Sequence, residues 1–132
     1  MKNPPLALKL RAKDVNTMCM DMACVILAGG RSTRMGRDKA TAAFRGGTLI
    51  KRVYDTVKDV FPEILVISSL HDTIDGVDAP IVKDIVPLQS PMVGIATGLI
   101  HSRRPGVFVV ACDMPFLSVD AIRYVLAQAG DE

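Results

Sequence analysis

The run Cys24-Val-Ile-Leu-Ala28 constrains this chain most: it is apolar, contains branched side chains and closes on Gly29-Gly30. An apolar run of that length bounded by a glycine turn reads as a buried strand. The loop that leaves it, over 29–39, carries Arg31, Arg34, Arg37 and Lys39 against Asp38 alone. Gly29, Gly30 and Gly36 allow close backbone approach, so that consecutive amides can point at one anion. The cation cluster suits a group with several negative charges, a diphosphate or triphosphate, better than a single carboxylate.

The remainder alternates strand and helix signals. Thr41–Phe44 followed by Arg45-Gly-Gly47 reads as a short extended piece and a turn. Thr48 caps a helix with the apolar face Leu49, Ile50, Val53, Val57 and Val60, ended by Pro62. Ile64–Ile67 is a second buried strand, Ser68–Ala79 a loop or weak helix, and Ile81-Val82 a third strand. Ser90-Pro91 opens a helix expected to bury Met92, Ile95, Ala96 and Leu99. Val107–Ala111 is a fourth strand, and Ser118 caps a last helix with Ala121, Ile122, Val125 and Leu126 inward. Strands alternating with helices predict an α/β fold, a Rossmann-like three-layer sandwich with a mainly parallel sheet. Such sheets bind ligands beyond the carboxyl ends of their strands. Two segments with unusual chemistry leave strands there: the loop over 29–39, and Cys112-Asp-Met-Pro115.

Composition removes other classes. A chain of 132 residues, 49% hydrophobic and 23% charged, fits one folded domain rather than a disordered segment. Its longest apolar stretches, Ala23–Gly30 and Gly106–Cys112, fall far short of the ~20 residues of a membrane span. Cys19, Cys24 and Cys112 are odd in number and form no CxxC pair, which argues against a disulfide framework or zinc site and for a reducing cytoplasm. A net charge of +2 and the absence of Trp give no basis for nucleic-acid binding. Residues 1–22, with Pro4, Pro5 and scattered charges, read as a loosely ordered leader or a start codon placed too early, Met18, Met20 and Met22 each offering an internal start.

Known phosphate loops do not fit the first segment. Gly30 and Gly36 are separated by five residues and followed by Arg37, so GxxxxGK[ST] fails. The dinucleotide fingerprint GxGxxG fails on spacing, and the second strand ends in Ser68-Ser69 rather than an acid. What remains is LAGGxxxRMGxxK over 27–39, which resembles the nucleotidyltransferase family of molybdenum cofactor guanylyltransferases. DIVPLQSPMVG over 84–94 and ACDMPFL over 111–117 are similar to further segments of that family, and the resemblance covers about residues 23–130. Family relatives that use CTP look like LAAG or PAAG here, so Gly29 tilts the reading to guanine.

The resemblance implies transfer of GMP from GTP to molybdopterin, with release of pyrophosphate, giving molybdopterin guanine dinucleotide. It implies that residues 23–132 are the nucleotide-binding portion of a domain that family members continue through further strands and helices. Leu27, Ala28, Gly29, Gly30 and Gly36 would hold the nucleotide, with Ser68 where many members have Asn, and Asp84 would bind on the nucleoside side. Lys39 would contact phosphate oxygens with Arg34 assisting, and Asp113 would hold Mg²⁺. Partners would be GTP and molybdopterin as substrates and molybdoenzymes or their chaperones as receivers of the product. An uncovered sheet adds the expectation of self-association.

Each residue also has a structural reading. Asp113 can be a turn former before Pro115, Asp84 a strand-ending loop residue, Cys112 a small buried hydrophobe and Cys24 core of the first strand. His71 and His101 receive no role. A nucleotidyltransferase with another nucleotide or acceptor, a non-catalytic nucleotide-binding module and, least favoured, a dinucleotide-dependent oxidoreductase are the alternatives.

Overall fold

The computed structural model describes residues 15–28, 31–32, 37–38, 43–86, 90–114 and 116–129, with the backbone alone at 31–32, 37–38 and 43–44. Its elements are helix α1 (15–20), β1 (Met22–Leu27), β2 (Arg31–Ser32), β3 (Arg37–Asp38), β4 (Ala43–Phe44), β5 (Gly47–Thr48), α2 (Leu49–Val57), β6 (Glu63–Ile67), β7 (Ile81–Val82), α3 (Pro91–His101), β8 (Gly106–Ala111) and α4 (Val119–Ala129). Four strands form one parallel sheet in the order β7-β6-β1-β8. β2 pairs with β3, and β4 with β5, as small antiparallel ladders. The loop expected over 29–39 therefore contains a ladder, Arg31 opposite Asp38 and Ser32 opposite Arg37.

Helices cover both faces, which gives the three layers. Side chains alternate across a strand. Cys24, Ile26 and Ala28 of the β1 segment turn to one face, with Val66 and Val110. They pack there with Ile50, Val53 and Val57 of α2 and Ile122 and Leu126 of α4. Val25 and Leu27 turn to the other face, against α3. Capping is local and follows the sequence. Lys51 N–H donates to Thr48 Oγ1 at 3.3 Å, Met92 N–H to Ser90 Oγ at 3.2 Å, and Ala121 N–H to Ser118 Oγ at 3.1 Å. Helix α2 ends at Val57, with a turn over 58–60 before Pro62.

Helix α3 corrects an expectation. Its buried residues are Gly94, Thr97 and Gly98, while Met92 and Leu99 are 70% and 55% exposed and Ile95 and Ala96 half-buried. The reason is close approach. A Cβ on Gly98 would lie 2.8 Å from both γ-carbons of Val25, and one on Gly94 2.8 Å from Leu27 Cδ2. In α4, likewise, Ile122 and Leu126 are buried while Ala121 and Val125 are exposed.

The stretch read as a leader differs at its end. Residues 15–20 are helical, and Val15 and Cys19, one turn apart, are buried in the same cluster as α2 and α4. Arg123 Nη1 donates to Asn16 Oδ1 at 2.7 Å, tying α1 to α4. The scattered charges and paired prolines that suggested loose order lie mostly in 1–14, outside the described residues. No helix among the described residues is long and apolar enough to cross a membrane.

Candidate active site

All four strands are parallel, so their carboxyl ends meet at one edge, with β1 in the middle. Ala28 N–H donates to Ile67 O at 2.8 Å, Ser68 N–H to Val82 O at 3.0 Å and Cys112 N–H to Leu27 O at 3.0 Å. These bonds continue the sheet just past its strands. They put Leu27 and Ala28 between the end of β6 on one side and Cys112-Asp113 on the other.

On the β7 side the loops are bound together. Ser69 Oγ donates to Asp84 Oδ2 at 2.8 Å. Ile85 N–H donates to the buried Thr97 Oγ1 at 3.0 Å, and that hydroxyl donates to Val93 O at 2.8 Å. Asp84 Oδ1 sits 3.9 Å from where a Cβ on Gly94 would stand, and that same Cβ would collide with Leu27. Asp84, the first turn of α3 and the end of β1 thus converge, and a Cβ at 94 would make the Leu27 side chain shift.

Ser68 is fully buried, and its hydroxyl accepts the N–H groups of Leu70 and His71, each at 3.3 Å. Its bonding is within the loop, as a serine turn. The exposed hydroxyl at this strand end is Ser69, which the sequence reading passed over. Strand alternation was the available signal: Leu65 and Ile67 share the face of Leu27, and Ser69 is the next position in that series.

Asp113 is exposed and directly follows the buried Cys112. Across the sheet it lies on the opposite side of β1 from Asp84. Among the described residues no group of three or more His, Cys, Asp or Glu side chains could hold a metal ion. Cys19, Cys24 and Cys112 are buried and form no disulfide. Burial pushes the Cys24 thiol up to about 12 and raises that of Cys19, so neither is a thiolate nucleophile. Gly29, Gly30, Arg34, Gly36 and Lys39 lie outside the described residues.

The profile of the MobA-like NTP transferase domain matches residues 24–132. The chain belongs to the MobA-like NTP transferase family. A relative from Desulfosudis oleivorans, named "Molybdenum cofactor guanylyltransferase", is 34% identical over 108 residues, 81% of this chain and 54% of its own length. One from Aquifex aeolicus, "Probable molybdenum cofactor guanylyltransferase", is 35% identical over 103 residues, 78% of this chain and 51% of its own. The chain thus spans about half the length of the curated relatives it matches. Among solved structures, an Aquifex aeolicus protein superposes with a TM-score of 0.67 at 30% identity, covering 83% of this chain and 58% of that one. A CMP:2-keto-3-deoxy-manno-octonic acid synthetase complexed with CTP gives 0.73 at 15% identity, over 85% of this chain and 48% of that one, a likeness of fold. In this MobA-like domain the strand-end edge described above is the part of the sheet where such folds take ligands.

Proposed function

We propose that this domain is the nucleotide-binding portion of a guanylyltransferase that moves GMP from GTP to molybdopterin. In the reaction an oxygen of molybdopterin's terminal phosphate attacks the α-phosphorus of GTP. The bond from that phosphorus to the β-phosphate bridge breaks, and pyrophosphate leaves. The nucleophile is already ionised, so the protein's work is alignment and charge neutralisation. The observation that carries this reading is that Asp84 and Asp113 follow β7 and β8 on opposite sides of β1, whose end leads into the basic loop.

Leu27, Ala28 and Gly29 are the proposed backbone contacts of the nucleotide, with Gly30 and Gly36 keeping the loop close. Asp84, held by Ser69, takes the nucleoside side, and Ser68 shapes the turn beneath it. Lys39 and Arg34 meet phosphate oxygens. Asp113 is the proposed ligand for Mg²⁺ carried in by the triphosphate. A hard cation that keeps its waters and takes phosphate oxygens needs one or two protein carboxylates, which this strand end can supply; bound there, it would offset phosphate charge.

Thermal shift with Mg·GTP and Mg·CTP tests the reading. GTP should stabilise the chain more than CTP. Asp113→Asn should remove the Mg²⁺ dependence of GTP binding while leaving the unliganded melting temperature within a few degrees. Equal stabilisation by both nucleotides would discard the guanine assignment. An Asn variant that keeps its Mg²⁺ dependence would make Asp113 a turn former.

A further inference from the structure

The segment that carries Asp84 leaves the sheet at β7 with little anchoring by burial. Ile85 and Val86 are 46% and 44% exposed, and Asp84 is half-buried. Hydrogen bonds hold it instead. Ser69 Oγ donates to Asp84 Oδ2 at 2.8 Å, and the Ile85 N–H donates to Thr97 Oγ1 at 3.0 Å. The Ile85 N–H belongs to the peptide that joins Asp84 to Ile85. That peptide is planar, so a hold on its N–H orients the backbone from which the Asp84 side chain departs.

Thr97 is fitted to that task. It is fully buried, and its hydroxyl has one proton, which goes to Val93 O at 2.8 Å because a carbonyl can only accept. A lone pair is thereby left for the Ile85 N–H. A threonine bonded back to the carbonyl four residues earlier gains the helix nothing and slightly destabilises it. Valine would fill the same space with no hydroxyl to satisfy. The use of the hydroxyl therefore lies outside α3, in the segment it grips. Gly94 and Gly98, on either side, let the α3 backbone lie close to β1: a Cβ on them would stand 2.8 Å from carbons of Leu27 and Val25 respectively.

We infer that Thr97 is a positioning residue for nucleoside recognition. It sets the Asp84 carboxylate by holding the peptide that follows it, and does not itself touch the nucleotide. The inference deepens the nucleotidyl-transfer reading and rests on the nucleoside lying at Asp84. The effect of Thr97 belongs to the nucleoside end, while the phosphates, which meet the loop after β1, are bound without it.

Calorimetry on the full chain tests this with Mg·GTP and with Mg·tripolyphosphate, which has the phosphates and no nucleoside. Thr97→Val should weaken GTP by about threefold or more and tripolyphosphate by less than about twofold. Thr97→Ser keeps the hydroxyl and should bind GTP within about twofold of the wild-type chain, although it loses a buried methyl and packs worse than valine. In the unliganded chain, amide exchange at Ile85 should quicken about threefold or more in Thr97→Val and stay nearer the wild-type rate in Thr97→Ser. The NMR spectra report that each variant is folded. The serine rescue and the Ile85 exchange stand as readouts whatever the affinity for tripolyphosphate. Unaltered GTP affinity in Thr97→Val, equal weakening of both ligands, no rescue by serine, or Ile85 exchange indifferent to the hydroxyl would each overturn the inference. A wild-type chain that binds no GTP would overturn the nucleotide reading itself, a failure seen before any variant is made, and the role of Thr97 would fall with it.

Discussion

The two faces of the sheet are built by opposite means. On one, Cys24, Ile26, Val66 and Val110 meet large side chains from α2 and α4, with Val15 and Cys19 of α1 closing the cluster and the Phe61 and Phe108 rings stacked at 5.4 Å. On the other, Val25 and Leu27 meet Gly98 and Gly94, which bring the α3 backbone close to the strand. Interdigitated side chains provide burial, and burial provides stability. Backbone-close packing provides position instead. It brings the first turn of α3 and the Thr97 clamp to the strand end where Asp84 and Leu27 meet, and leaves Met92, Leu99 and Ile100 on the outside. One face carries the fold, and the other shapes the candidate site.

That contrast can be broken by substitution. Ile122→Ala, on the face that carries the fold, should cost about 2–5 kcal/mol in urea unfolding, because it removes a fully buried side chain from a packed cluster. Leu99→Ala on the exposed side of α3 should stay within about 0.5 kcal/mol. Similar losses at both positions would erase the distinction between the faces.

A smaller change sharpens it. Gly98→Ala should destabilise by about 1–3 kcal/mol through overpacking on Val25. It should do so although alanine gains about 1 kcal/mol over glycine in helix propensity. A stabilised variant would mean that α3 sits further from β1 than described.

The smallest effect concerns charge at the surface of α2. The hydrogen bond from Lys51, with that from Lys58, holds the Asp55 carboxyl below the usual carboxylate range. A depressed folded pKa contributes stability above about pH 4, and that stability is lost as pH falls through the folded value. The group is exposed, so the contribution is at most about 0.5 kcal/mol. Thermal melts of Asp55→Asn should show a small deficit at pH 7 that shrinks as pH falls below about 4; a deficit independent of pH would assign it to packing.

These differences track what a sequence displays. Local signals were legible: the branched run that becomes β1, and the hydroxyls of Thr48, Ser90 and Ser118 that cap three helices. Helix α3 was legible as a helix but not in its rotation. Pro91–His101 carries no Asp, Glu, Lys or Arg, so its apolar pattern has no phase, and the glycines that set the contact contribute nothing to a hydrophobic count. The pairing of Val15 with Cys19 was hidden by averaging over prolines and charges that precede it. Ser68 and Ser69 are alike in type, and only the register of β6 tells the buried hydroxyl from the one on Asp84. Asp84 and Asp113 were legible as strand-end acids; that they flank β1 required the strand order.

Amide hydrogen exchange on the full chain, with and without Mg·GTP, tests the central claim most directly. Nucleotide bound at the strand ends, on the side that α3 shapes, should slow exchange at Ala28, Ser69–His71, Ile85 and Asp113, and leave the inner surface of α4 around Ile122 unchanged. Slowing spread evenly over both faces, or none at the strand ends, would contradict it.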